Sequence, residues 1–168
     1  MNEDFDEIDL QIIDQLKGFM ADVVEKEFKG NRVWTRNIKE RLCALGTKLK
    51  CRVAVGGFRD EYEQEWLYDI TWYEEDSENR LIRIPLIVES EWDTSYIGIK
   101  YDFEKLLVGN AVRRLLICQW PKEDIDSLLD KLRASIDVFE ENAGDSFLFA
   151  ILNSETEREF VFKKHIKL

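Results

Sequence analysis

Three carboxylates carry the clearest chemistry in this chain. Glu89 and Glu91 close the run Leu81-Ile82-Arg83-Ile84-Pro85-Leu86-Ile87-Val88-Glu89-Ser90-Glu91-Trp92. Alternate residues of an extended strand point to the same face, so both acids face one way, at the rim of an apolar segment that should be buried. Two anions side by side in such a place are costly unless a cation joins them. Asp69 is the one acid inside Trp66-Leu67-Tyr68-Asp69-Ile70-Thr71-Trp72-Tyr73, whose aromatic and β-branched residues predict a second strand. A carboxylate there needs a hydrogen-bonding partner or a metal ion.

The polar residues 74–79 between these two segments predict a hairpin connection. With the turn centred on Glu78 and Asn79, Asp69 falls opposite Val88 and diagonal to Glu89. Cross-strand side chains meet over roughly 5 to 8 Å, so the two acids come within reach of each other. One residue of slip makes them direct partners. Pro85 has no amide to donate and predicts a bulge or bend in the same strand.

The elements that must position these acids follow from periodicity. Phe5, Ile8, Ile12, Leu16, Phe19 and Val23 recur at helical spacing, which predicts a packing helix over residues 5–28 stopped by Gly30. Thr35 is suited to cap a second helix that carries Ile38, Leu42 and Leu45 on one stripe, bears Glu40, and ends at Gly46. Leu49, Cys51, Val53 and Val55 then alternate with Lys48, Lys50 and Arg52, the pattern of a half-buried strand with three cations on its outer face. Those cations read either as a ridge contacting nucleic-acid phosphates or as lysines that keep a sheet edge from pairing with another molecule. Asp102 is placed to cap a third helix ending near Gly109, with Lys105 in its first turn. Residues 113–120 form a fourth strand, and the strand, helix, strand order predicts that it lies parallel to its neighbour. A fourth helix opens at Pro121, and residues 147–152 and 160–164 predict a terminal hairpin.

With 168 residues the chain reads as a single domain over 1–168, with a core at about 35–120, an N-terminal packing helix, and a C-terminal helix plus hairpin at about 122–166. A chain of this size buries roughly 70% of its unfolded surface, so neither a disulfide nor a structural metal is needed. Its three cysteines, Cys43, Cys51 and Cys118, have no zinc spacing and read as reduced and buried, and the lone histidine, His165, argues against a His-dependent triad. No signal-peptide pattern opens the sequence and no apolar run reaches the roughly 18 residues of a membrane span, so a cytoplasmic protein without a membrane partner is expected. The net charge of −11 weighs against a protein that coats nucleic acid through a general positive field, while leaving local phosphate contacts open. A second copy of the chain or another protein remains a candidate partner.

The order helix, strand, strand, strand, helix, strand, with Asp69 on the second strand and Glu89-Ser90-Glu91 at the end of the third, resembles the restriction-endonuclease-like PD-(D/E)XK nuclease superfamily over roughly residues 35–120. Glu65-Trp66-Leu67-Tyr68-Asp69, Glu89-Ser90-Glu91-Trp92 and Tyr101-Asp102-Phe103-Glu104-Lys105-Leu106-Leu107 look like segments of small bacterial proteins within it. The resemblance implies an α/β (α+β) fold with a mixed central sheet flanked by helices, and Mg²⁺- or Mn²⁺-dependent hydrolysis of nucleic-acid phosphodiesters. Asp69 and Glu89 would hold the metal, and Glu91 stands where most members have lysine, as a base or second-metal ligand. Lys105 would supply the missing cation from the next helix, and Glu40 would add an acid from the preceding one. Such acids suit Mg²⁺, which takes hard oxygen ligands and keeps several waters. The competing expectation is an inactive nuclease-fold protein serving as a binding or assembly module, with Glu89 and Glu91 paired to arginines such as Arg83 or facing solvent.

Overall fold

The computed structural model describes residues 5–58, 61–140, 144–156 and 159–167. Helix α1 (Glu7–Glu25) starts at a capping box: the Asp6 side chain accepts from the amides of Ile8 and Asp9, and the Asp9 carboxylate accepts from the amide of Asp6. Helix α2 (Asn31–Lys48) begins directly after Gly30, whose φ of 90° few other residues adopt readily. Thr35 is therefore inside α2 and does not cap it. Its hydroxyl instead accepts the indole N–H of Trp92 at 2.9 Å, tying α2 to the end of the third strand.

The strands are β1 (Arg52–Val55), β2 (Ile70–Glu75), β3 (Leu81–Glu91), β4 (Arg113–Trp120), β5 (Ser146–Asn153) and β6 (Phe160–Ile166). They form one six-stranded mixed sheet in sequential order. β1, β2 and β3 are antiparallel neighbours, β3, β4 and β5 run parallel, and β6 returns antiparallel. Helix α3 (Tyr96–Val108) links β3 to β4, and α4 (Ile125–Val138) links β4 to β5 after a 3₁₀ turn at Lys122–Asp124.

Alternation along the strands divides the core in two. Leu86, Val88, Leu115, Ile117, Leu148 and Leu152 pack under α1 and α2. Ile87, Leu116, Cys118, Phe147, Phe149 and Ile151 pack under α3 and α4. The architecture is thus an α/β fold in which a mixed sheet is covered by helices on both faces. Gly46 is required where α2 meets the sheet, because a Cβ there would stand 2.6 Å from the Trp72 ring nitrogen. Among the described residues no helix is long and apolar enough to cross a membrane.

The hairpin register differs by one residue from the expected one. Ile70 pairs with Val88, Thr71 with Ile87 and Trp72 with Leu86, so the pairing continues toward Asp69 opposite Glu89. The slip is absorbed on β3: from Trp72 to Glu74 the chain takes two steps while its partners run three, from Leu86 to Arg83. Pro85 lies in that extra length, as its missing amide predicts.

Two ion-paired joints hold helices to the sheet. Asp9, fully buried, meets Arg113 of β4 at 3.3 Å and Lys164 of β6 at 2.5 Å, fixing the start of α1. Arg114 is buried beneath the C-terminal end of α3, where its guanidinium donates to the carbonyls of Leu106, Gly109 and Ala111. It also pairs with Asp145 at 2.6 Å. These bonds tie the last turn of α3 and the chain just beyond it to β4. Replacing Arg114 with Met should therefore leave the Gly109 and Ala111 carbonyls and the Asp145 carboxylate without this partner, lowering stability by about 3–5 kcal/mol in denaturant titration. A loss below about 1 kcal/mol would show that the joint does not hold α3.

Candidate functional site

The site forms where β3 ends, between α2 on one face of the sheet and α3 on the other. Asp69 sits one residue before β2, which starts at Ile70 and not at Trp66 as its composition suggests. One oxygen of its carboxylate accepts both the backbone N–H of Ser90 at 2.9 Å and the Ser90 hydroxyl at 2.7 Å. The other lies 3.0 Å from the ammonium of Lys39, which α2 delivers. That ammonium also stands 3.6 Å from Glu65.

Glu89 projects from the opposite face of β3 to Val88, toward α3, and is only 3% exposed. Its Oε1 is 2.6 Å from the Lys105 ammonium. This ammonium is the group that compensates the buried oxygen. Lys105 simultaneously reaches Asp102, one turn earlier on α3, at 3.4 Å. α3 begins at Tyr96 with Ser95 as its cap, so Asp102 is not a capping residue and Lys105 lies near the helix end. The earlier start turns Asp102 inward beside Ile99 and Leu106.

The electrostatics follow from burial. Removal from water pushes the Glu89 carboxyl up to about 8, with the nearby Asp69 charge adding to the rise and Lys105 opposing it. Burial likewise raises Asp102, and the charges of Glu91 and Asp69 add to this against the pull of Lys105. Burial alone would lower Lys105, but Glu89 and Asp102 more than reverse it, so its ammonium is held charged. The Tyr68 phenol is raised by burial and by Glu89. Glu89 and Asp102 therefore share one ammonium and both lie in the field of Asp69.

The other residues singled out by sequence fall in different places. Glu91 shares the α3 side of β3; it accepts the Asp93 amide at 2.7 Å, and its Oε2 would be 3.3 Å from a Cβ at Gly98 in the first turn of α3. Glu40 pairs with Arg36 at 2.9 Å on the exposed side of α2, away from Asp69 and Glu89. Arg83 pairs with Glu74, not with Glu89 or Glu91. The expected ridge does not form. Lys48 is the last residue of α2, Lys50 adopts a left-handed turn conformation with φ of 64°, and Arg52 alone is on β1. Arg52 is moreover bound to Glu63 at 2.7 Å and to Glu75. The alternation from Leu49 onward predicts a strand there, but α2 runs through Lys48 and its turn consumes the next three residues.

Lys39, Asp102, Ser90 and Tyr68 belong to the site and were not visible as members of it. Lys39 neighbours Ile38 and precedes Cys43 by four residues, a spacing that places it against the packed side of α2. Asp102 would have been found by starting the helix at Ser95. Comparison with protein-family models, curated proteins and solved structures returned no match.

A buried acid elevated in this way makes stability depend on pH. Between its ordinary value of 4.5 and about 8, Glu89 keeps its proton in the folded chain and releases it on unfolding. Its contribution is thus complete at low pH and is lost as pH rises through about 8. Glu89→Gln, neutral throughout, should melt at least ~3 °C above the wild type at pH 9, the shift that about 1 kcal/mol makes in a chain of this size. The gap should nearly close at pH 5. Melting curves with equal gaps at the two pH values would contradict the buried-acid assignment.

Proposed function

We propose that the chain is a nuclease-fold phosphodiesterase that uses Mg²⁺ or Mn²⁺ to hydrolyse nucleic acid, with Asp69 and Glu89 as the first metal ligands. The observation that carries this reading is the meeting of Asp69 and Glu89 at one end of the sheet, with more carboxylates around them than Lys39 and Lys105 can neutralise. The strand order and directions from β1 to β4, with a helix between β3 and β4, agree with the layout that the PD-(D/E)XK resemblance implies.

The residues suit a hard divalent cation. All donors are carboxylate oxygens, and Glu89 is buried with Lys105 as its compensating cation. Among the described residues no three acids, histidines or cysteines converge closely enough to hold an ion as the side chains stand. Lys105 occupies the space between Glu89 and Asp102, so a cation has to compete with it. When bound, the ion supplies Lewis-acid chemistry, offsetting charge on the phosphoryl oxygens and acidifying water. The chain's own groups do the rest. Ser90 locks the Asp69 carboxylate through two hydrogen bonds, Lys39 balances its outer oxygen, and Glu91 offers a partly exposed carboxylate to take a proton from water. Lys105, next to Glu89, is the cation placed to contact substrate phosphate where a lysine at position 91 is lacking.

A second reading is favoured by the two ion pairs themselves. Lys39 with Asp69 and Lys105 with Glu89 can close the site as structural posts, leaving a binding or assembly module whose partner is a protein or a second copy of the chain.

Calorimetric titration of Mn²⁺ into wild type, Asp69→Asn and Glu89→Gln, followed by cleavage assays on single-stranded, double-stranded and branched DNA and on RNA, separates the two. The nuclease reading expects millimolar or tighter binding, a tenfold or greater weakening in each variant, and loss of cleavage by at least ~10²-fold. Because Glu89 must give up its proton, affinity should rise with pH up to about 8. Absence of Mn²⁺ binding, with both variants only altering stability, would leave the assembly module.

A further inference from the structure

The two edges of the sheet differ. β1 is closed in part by the chain that follows it: the Val55 amide donates to the Glu63 carbonyl at 3.0 Å, and the Glu63 amide to the Val53 carbonyl at 3.1 Å. β6 ends the sheet on the other side, and among the described residues no strand lies against its outer edge. Its pairing with β5 decides which backbone groups are open. The Asn153 amide donates to the Glu159 carbonyl and the Lys167 amide to the Asp145 carbonyl, so the odd-numbered residues of β6 turn their amides and carbonyls inward. Phe160, Phe162 and Lys164 turn theirs outward, which makes the edge a template for another strand. Lysines commonly guard such edges, but Lys164 is folded onto Asp9 of α1 at 2.5 Å with its side chain only 8% exposed, and it does not stand across this one. An apolar groove flanks the same edge. Met20, Ala21 and Val24 of α1 form one wall, and Phe160 and Phe162 form the other. Val24 is 57% exposed there.

We propose that β6 pairs antiparallel with β6 of a second copy, with Val161 on the two-fold axis, so that two six-stranded sheets join into one. Register and charge select this partner. When the outward groups of Phe160 bond those of the partner copy's Phe162, Val161 meets the partner copy's Val161 and Lys163 meets the partner copy's Glu159. The two phenylalanines lie on the α1 face, where the partner copy's rings fill the groove. Val161 lies on the α4 face. The valine pair and the ion pair fall at positions without hydrogen bonds, where opposed side chains come closest. The two-fold axis makes the ion pair twice. Sliding the copies further along β6 sets Val161 against Lys163 and Phe160 against Lys164, and then Lys163 against itself. A chain with a net charge of −11 repels its own copy in general, so a contact that is locally neutral is the one to expect. Such a dimer requires neither a metal ion nor catalysis, and it stands whether or not the end of β3 is a nuclease site.

Sedimentation of the full chain without added metal should give a dimer with a Kd of roughly 10 µM or tighter. Lys163→Glu and Glu159→Lys should each weaken it at least tenfold, because each sets like charges face to face twice. Mixing the two variants should restore the wild-type affinity, since every like pair becomes an opposite one; damage to folding would not be repaired in this way. Val24→Lys, a change at an exposed position of the groove, should weaken the dimer while far-ultraviolet circular dichroism stays that of the wild type. In wild type, hydrogen exchange at the Phe160 and Phe162 amides should slow as concentration rises through the Kd, while the Val161 amide, directed to β5, does not change. A chain that stays monomeric up to about 1 mM overturns the proposal and leaves the edge to a strand of another protein. A dimer indifferent to both charge reversals, with exchange at Phe160 and Phe162 independent of concentration, overturns it by placing the interface elsewhere. Neither result touches the metal-dependent reading, which Mn²⁺ binding decides.

Discussion

A carboxylate is held out of water at the end of β3, and much of this structure is arranged to make that tolerable. Glu89 belongs to the strand at the centre of the sheet, in register with β2 on one side and β4 on the other. Its parity sends it into the largely apolar layer beneath α3 that holds Ile87, Leu116 and Phe149. Such a position favours the neutral acid, which is why the group titrates near 8. Lys105 relieves the cost only in part, because its ammonium is shared with Asp102. A buried acid that shares its ammonium with a second carboxylate is only partly compensated.

The supporting elements are placed by features some distance from the site. The extra residue of β3 around Pro85 sets the hairpin register, and one step either way would turn Asp69 off the level of Glu89. Arg114 ties the end of α3 to the sheet and so fixes the axial position of Lys105 and Asp102. Trp92, bonded to Thr35, anchors the end of β3 under α2, the helix that brings Lys39 to Asp69. The site therefore draws on both helical layers, one lysine from each, around acids that only the sheet brings together.

Much of this was legible in the sequence. Alternation and aromatic content located the strands, helical periodicity located the helices, and the strand, helix, strand order predicted the parallel pairing of β3 and β4. The register of the hairpin, with Ile70 paired to Val88, is within one residue of the one drawn from the turn. What escaped were boundaries and their consequences. Thr35 and Asp102 both have capping side chains, but Gly30 and Ser95 lie upstream, and a helix begins where the chain first leaves the preceding loop. Moving the start of α3 back by seven residues turned Asp102 from a cap into a buried member of the site. Lys48, Lys50 and Arg52 alternate as strand residues do, yet α2 had not ended, and helical hydrogen bonding outweighed a pattern only a few residues long. Lys39 carried no signal on its own, since a lysine on a helix is usually a solvated one.

The functional conclusion depends on whether Asp69 and Glu89 take a common ion. Crystals grown with Mn²⁺ and measured near its absorption edge address this directly. The account predicts an anomalous-difference peak within about 2.5 Å of a carboxylate oxygen from each residue, the ordinary range for hard cations on oxygen. A map with no peak there, the Lys105 ammonium still seated against Glu89 and Mn²⁺ bound elsewhere or nowhere, would contradict it.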